Sequence, residues 1–298
     1  MYHNHSHSHS HNTDIKNIKL AFFLNFGFTI FEIIGGLFTN SIAIMSDAIH
    51  DLGDSLSLAL AWYFQKFSKR GRNNSYSYGY KRFSLLGAMI NSIVLVAGSV
   101  FVLSEAIPRL FSPAETKVEG MFVMAIIGVL VNGAAVFRLK KGNSINERVV
   151  SLHLLEDVLG WLAVLIGSVV MYFFDLPIID PLLSLGIAVF ILSNVYKNVK
   201  QSLQIFLQAV PDKVDLQQIT DLLEAKNEIV AVHDLHIWSV DGELNILTVH
   251  IVLAENFPPN EIICLKTEIR QLLKNQSIQH STIEFELENE KCGMEDCV

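Results

Sequence analysis

The sequence predicts an α-helical membrane protein of six transmembrane helices followed by a small C-terminal α+β domain of order αββαβ. Three observations carry that prediction. The 298 residues are 51% hydrophobic and only 17% charged, with a mean hydropathy of +0.38, which is high for a soluble globular chain. Six segments reach the roughly 20 mostly apolar residues that crossing a bilayer requires. After Pro211 the composition reverts to that of an ordinary soluble domain.

The chain opens on a polar stretch, residues 1–14, in which His3, His5, His7, His9 and His11 stand among small polar residues. Such a segment cannot build a core, but neutral imidazoles hold zinc or copper loosely, so it is expected to be a disordered metal-gathering tail. No cleavable signal peptide is visible, because the first apolar run continues to spanning length. The membrane domain is expected over 15–208, with spans near 16–38, 41–66, 80–108, 118–140, 148–174 and 177–206.

An even number of spans puts both termini on one side, and the basic residues choose which. The second connection carries Lys66, Lys69, Arg70, Arg72, Lys81 and Arg82, and the fourth carries Arg138, Lys140, Lys141 and Arg148. The opposite connections "TNS" and "DLPIID" carry no basic residue, and "PRLFSPAETKVEG" carries only Arg109 and Lys117. Both termini are therefore expected in the cytoplasm.

Residues 209–288 form the expected cytoplasmic domain. Apolar residues recur at helical spacing in "DLQQITDLLEAK" and "PNEIICLKTEIRQLLK". The runs "IVAVHDLHIWSV" and "LNILTVHIVL", joined by a turn at Asp241 and Gly242, read as strands, and "HSTIEFEL" alternates as a third. A small antiparallel or mixed sheet with helices on one face follows, with a modest core that leans on a partner subunit. The tail, 289–298, holds Cys292 and Cys297, which with Cys264 are too few for a disulfide scaffold and leave metal or redox chemistry open. A net charge of −8 gives no general electrostatic reason to bind nucleic acid.

Polar residues inside the spans carry the functional signal. In "SDAIHDLGDS", His50 and Asp54 stand four apart, on one helix face about 6 Å from each other. The fifth span repeats the spacing with His153 and Asp157 in "HLLED". An ionised carboxylate costs about 2.5–3.5 kcal/mol at a helix centre on insertion scales, so such groups face a partner or a wet cavity. Two imidazoles and two carboxylates make the four-ligand set that zinc accepts, whereas calcium asks for more oxygens and copper(I) for sulfur. Ligands that shed protons to take metal couple metal occupancy to proton release. The competing reading, polar residues that merely hydrogen-bond across the bundle, suits one such pair better than two. Asp47 and Asp51 adjoin the first pair, as a helix cap or aid to metal approach and as a group pointing at a polar neighbour. Asn25, Glu32, Asn91 and Asp180 read as interhelical hydrogen-bonding residues, with contact to the ion path as the alternative.

At these residues the chain resembles a known family, the zinc-transporting cation diffusion facilitators. "SIAIMSDAIHDLGDS", "SYGYKRFSLLGAMIN", "HLLEDVLG" and "IIDPLLSLGIAVFIL" are similar to its second, third, fifth and sixth spans, and "VHDLHIWSV" with "TVHIV" to its cytoplasmic domain. The resemblance implies a homodimer exporting cytoplasmic Zn2+ against protons by alternating access, with transport ligands His50, Asp54, His153 and Asp157. Cadmium, cobalt and nickel are the implied alternative substrates. It also implies a ferredoxin-like cytoplasmic domain that binds further, regulatory metal at His233, His250 and Glu286, with His280 nearby. Glu284 shares a strand face with Glu286, whereas His236 beside Trp238 reads as structural. Cys292 and Cys297 resemble the tail ligands of some relatives. Two residues depart from the family's pattern: Trp161 stands where a small residue is more usual, and Asp51 where an apolar one is. The connection "KKGNSINE" lacks the histidine-rich insertion of many eukaryotic members, which fits a bacterial plasma (inner) membrane protein. The chief rival is a membrane-tethered metal sensor or buffer, which leaves both intramembrane pairs unexplained. An intramembrane metalloenzyme lacks its HExxH pattern here, and a channel would be slowed by four-ligand coordination.

Overall fold

The computed structural model describes residues 10–68, 70–139, 145–288 and 290; within them the side chains of 10–21, 61, 62, 65, 66, 68, 138, 139 and 145–153 lie outside the description. Six long helices come first: α1 (Ser10–Thr39), α2 (Ile42–Ser68), α3 (Phe83–Phe111), α4 (Val118–Leu139), α5 (Ile145–Phe174) and α6 (Ile179–Phe206). Then follow α7 (Leu216–Glu224), β1 (Ile229–Ser239), β2 (Asn245–Leu253), α8 (Pro259–Asn275) and β3 (His280–Leu287). The order αββαβ is as expected. The start of α1 at Ser10 lies upstream of the expected boundary, while the earlier tail residues fall outside the described residues.

Among the described residues, five helices are long and apolar enough to cross a membrane: α1, α3, α4, α5 and α6. Among the described residues α2 is the exception. It has the length but carries Asp47, Asp51 and Asp54 within two turns. Large apolar side chains stand exposed along the helices, among them Leu37, Phe38, Ile93, Ile166 and Phe173. A run of exposed apolar residues on this scale is what a lipid-facing surface presents.

Contacts divide the chain into two compact units, one formed by Met1–Lys66 with Leu86–Val199 and the other by Phe67–Leu85 with Lys200–Val298. In the first unit, small residues let helices approach closely, the usual device where lipid removes the hydrophobic drive for helix pairing. A side chain added at Gly53 would overlap Leu95, at Gly98 Ile49, and at Gly167 Leu183. The sharpest instance joins α4 to α5, where the indole of Trp161 lies fully buried against Gly128. The bulk of Trp161 is thus matched by a glycine on the neighbouring helix, and Phe28 packs edge-on against the ring at 6.2 Å.

The second unit contains a three-stranded mixed sheet in the order β1–β2–β3, with β1 antiparallel and β3 parallel to β2. Antiparallel β1 and β2 need only a tight connection, and Gly242 supplies its φ of +94° while the Asp241 carboxylate accepts from the amides of Glu243 and Leu244. Parallel β2 and β3 need a crossover, which α8 provides. Ile219 and Leu223 of α7 and Leu265, Ile269 and Leu273 of α8 cover one face and enclose Leu247, Val249 and Ile251. The α2–α3 connection belongs to this unit: Lys81 pairs with Asp241 at 3.7 Å, and the Tyr78 ring meets the His280 ring edge-on at 6.0 Å.

Gly128→Ala forces the Trp161 ring to move, and overpacking of this kind costs about 1–3 kcal/mol. The variant should melt at lower temperature than the parent in detergent, and adding Trp161→Phe should recover part of the loss; an unchanged melting temperature in the single variant would show that α4 and α5 are not locked there.

Candidate metal sites

Helix α2 carries the first donor pair and is held in place at its beginning. Asn40 turns the chain with φ of +54°, and Ser41 begins a cap completed from α6. The Asp180 carboxylate accepts from the Ser41 hydroxyl at 2.5 Å and from the amides of Ile42 and Ala43 at 2.8 and 3.2 Å. The Ser41 Oγ accepts from the amide of Ile44. The opening amides of a helix lack intrahelical acceptors, and here an acid 138 residues away supplies one. Arg109 donates to both the carbonyl and the side-chain oxygen of Asn40, so the end of α3 joins the same knot. Asn25 of α1 donates to the carbonyl of Asp51 and to the Ser55 hydroxyl, which fixes α1 against α2 two turns further along. Asp180 and Asn25 therefore do hold helices together, whereas no partner is described for the Asn91 carbonyl oxygen.

Between these fixings the charged groups converge. His50 Nε2 lies 3.7 Å from Asp54 Oδ2 on its own helix and 4.0 Å from Asp157 Oδ1 on α5. Two ligand atoms on one tetrahedral zinc stand about 3.3 Å apart, given metal bonds near 2.0–2.2 Å, so side-chain adjustments of well under an ångström suffice. His153 sits one helical turn before Asp157 on α5, and its side chain lies outside the described residues. The helices draw close just beyond the pair: Asp47 Oδ1 lies 3.6 Å from where a side chain on Gly160 would begin. Asp47 and Asp51 are buried at 5% and 4% exposure, and Glu32 of α1 is fully buried. The Glu32 carboxyl faces that of Asp51, with Asp47 and Asp157 in electrostatic range. Glu32 reads as an interhelical hydrogen-bonding residue in sequence, and its carboxyl shares a side-chain hydrogen bond with that of Asp51 across α1 and α2. Its placement among acids is invisible without the packing of α1.

In the second unit, β-sheet register assembles another donor set. His233 of β1 pairs directly with His250 of β2, and their rings stand 5.2 Å apart. His250 is level with Glu284 on β3, and Glu286 lies two residues on along the same face. The buried Glu286 carboxylate joins the two histidines, with Oε1 2.6 Å from His250 Nδ1 and Oε2 3.0 Å from His233 Nε2. One ligand atom from each of the three lies within 4.8 Å of the others. Two imidazoles and a carboxylate suit zinc, with a fourth position left for water or another ligand.

His280 does not join this set. It begins β3, level with Ile246, six residues from Glu286, and strand rise of about 3.3 Å per residue separates them by roughly 20 Å. Its ring packs against Tyr78 instead. His236, read as structural, pairs with Asp234 at 2.8 Å, a neighbour that no spacing in the sequence singles out. Cys292 and Cys297 lie outside the described residues.

The chain thus combines a helical membrane unit, in which acids and a histidine converge between helices, with a small α+β unit that carries a His–His–Glu cluster able to hold a metal ion. Comparison with known families is specific: residues 18–207 match the cation efflux transmembrane domain and residues 211–288 the cation efflux protein cytoplasmic domain. The chain belongs to the cation efflux family, the cation diffusion facilitators. It is 34% identical over 277 residues to the cadmium, cobalt and zinc/H(+)-K(+) antiporter of Bacillus subtilis, covering 92% of this chain and 89% of the relative. The metal cation efflux system protein CzcD of Cupriavidus metallidurans is also 34% identical, over 91% of this chain and 86% of the relative. The zinc transporter ZitB of Yersinia pseudotuberculosis is 32% identical, over 96% and 91%.

Asp180→Ala leaves the α2 cap donors buried without their acceptor, at about 1–3 kcal/mol for each unsatisfied group. The variant should melt earlier, and Asp180→Asn, which keeps one carbonyl acceptor, should lose less. Zinc stoichiometry in equilibrium dialysis should stay unchanged in both, since Asp180 caps rather than ligates; loss of one zinc per protomer would reverse that assignment.

Proposed function

We propose that the chain exports zinc from the cytoplasm in exchange for protons, through a tetrahedral site made by His50, Asp54, His153 and Asp157. The observation that carries this reading is the approach of His50 to both Asp54 and Asp157 across α2 and α5. The names of the relatives support it: that of the Bacillus subtilis protein gives cadmium, cobalt and zinc as substrates with protons and potassium as counter-ions, and that of the Yersinia protein gives zinc. Cadmium and cobalt are accordingly the alternative substrates for this chain, and a mixed nitrogen and oxygen donor set suits all three better than it suits calcium or magnesium.

The residues couple metal to protons by their own charge. A divalent ion entering between Asp54 and Asp157 neutralises two carboxylates, and so do two protons, so either occupant relieves the same repulsion. Zinc binding requires deprotonated carboxylates and neutral imidazoles, so it expels protons, and rising proton concentration expels zinc. Because α2 supplies one half of the ligands and α5 the other, a change in the relative placement of those helices reshapes the site. Alternating access then needs the emptied, protonated site to face outward and reset.

In this reading the six long helices α1–α6 all cross the inner membrane, both termini are cytoplasmic, and the αββαβ unit is a ferredoxin-like domain through which two protomers pair. Zinc held by His233, His250 and Glu286 favours the paired arrangement, a ligand biasing an existing equilibrium.

Zinc uptake into proteoliposomes under an imposed pH gradient, with internal pH recorded at the same time, tests the exchange. The parent should move zinc and protons in opposite directions, and Asp54→Ala and Asp157→Ala should each reduce flux to the level of empty vesicles. Zinc binding without gradient-dependent flux would make the protein a membrane-tethered metal sensor or buffer.

A further inference from the structure

The cluster in the C-terminal unit includes a residue that the metal reading does not use. Strand β1 carries an irregularity: His233 is level with His250, but His236 is level with Thr248, so three steps along β1 match two along β2. The extra residue makes a β-bulge, the local device that re-aims a side chain. In a regular strand, residues 233 and 236 would point to opposite faces. The bulge puts both on the face that holds His250. At the bulge Asp234 adopts φ of +49°, a left-handed conformation uncommon outside glycine and most accessible to Asn and Asp.

The Asp234 carboxylate is 9% exposed and turned toward that same face, with Oδ1 2.8 Å from His236 Nε2 and Oδ2 3.6 Å from His250 Nε2. The other ring nitrogen of His250, Nδ1, is the one that meets Glu286 at 2.6 Å, and Glu286 in turn meets His233 at 3.0 Å. Five side chains therefore run in sequence as His236, Asp234, His250, Glu286 and His233, with a carboxylate between each pair of imidazoles. Glu284 adds a third carboxylate 3.5 Å from His250 Nε2, but its side chain is 65% exposed, so solvent weakens its hold.

The geometry points to Asp234 as the positioning residue of the His233, His250 and Glu286 metal site. This rests on the reading that those three residues take zinc. A histidine ligand commonly donates its second ring N–H to a carboxylate, which fixes the tautomer and the ring plane. With a metal on Nδ1, the remaining ring proton of His250 would sit on Nε2, 3.6 Å from the Asp234 carboxylate, which then holds the ring plane. Asp234 itself does not touch the metal. Its second contact, to His236, orients the carboxylate and gives that histidine a role at the site without making it a ligand. The strained backbone at the bulge is what brings the carboxylate to the metal face.

Zinc titration against a chromophoric chelator, on the full-length protein carrying Asp54→Ala and Asp157→Ala, tests this with three further substitutions. His250→Ala identifies the C-terminal site as the tight binding event that it abolishes. Asp234→Asn keeps the side-chain shape and tolerance of left-handed backbone but loses the charge, and Asp234→Gly relieves the backbone and removes the carboxylate. Both Asp234 variants should bind zinc about 10–100-fold more weakly at that site, while Asp234→Gly melts no lower than the parent without zinc. Cobalt(II) at the same site should show a shifted and weakened visible absorption band in both. Unchanged affinity and spectra in Asp234→Asn and Asp234→Gly would overturn the proposal and leave Asp234 as a residue that merely suits the bulge. If His250→Ala leaves tight binding intact, the metal reading fails and the positioning role with it.

Discussion

Carboxylates buried between membrane helices must share their space with something positive, and the membrane unit is arranged around that demand. Glu32, Asp47, Asp51, Asp54 and Asp157 come from three helices and lie within electrostatic range of one another. His50 stands at the meeting of Asp54 and Asp157. In a low-dielectric setting such a group of acids cannot all be ionised without a compensating cation. A divalent metal or bound protons would each meet that need, which is the electrostatic ground for the proposed exchange. The fixings around the cluster serve the same end. Asp180 and Arg109 lock the start of α2, and Asn25 ties its middle to α1.

Much of this is legible in the sequence because helical geometry is local. The spacing of His50 to Asp54 and of His153 to Asp157 fixes each pair on one face without knowledge of the fold, and apolar runs of spanning length place the end of α1 and both ends of α3–α6 to within a few residues, whereas the polar start of α1 at Ser10 lies outside its apolar run. Long-range contacts are a different matter. Nothing local announces that Glu32 turns toward Asp51, that Asp180 caps a helix that begins 138 residues earlier in the chain, or that Gly128 makes room for Trp161. These depend on which helices become neighbours. Trp161 stood out as an oddity of sequence, and its explanation lies on another helix.

Strand register sets the limit in the C-terminal unit. Period-2 alternation puts Glu284 and Glu286 on one face, and the pairing of β1 with β2 then brings His233 and His250 to them. His280 shares the strand with Glu286 but lies a strand length away, a separation that proximity in composition conceals. The bulge at Asp234 is harder still to foresee, because a one-residue insertion into a ladder leaves no mark in an alternation already blurred by "VHDLHIW". Its effect is large nonetheless, since it decides which side chains of β1 look at His250.

In the proposed transport site, two imidazoles and two carboxylates hold a cation between α2 and α5. X-ray absorption at the zinc edge, on protein carrying His233→Ala and His250→Ala and loaded with one zinc per protomer, tests it most directly. The expected result is a four-coordinate first shell of nitrogen and oxygen at about 2.0–2.2 Å, with imidazole scattering that falls when His50 is replaced. A sulfur shell near about 2.3 Å, or a six-oxygen shell indifferent to replacement of His50 and Asp157, would contradict it.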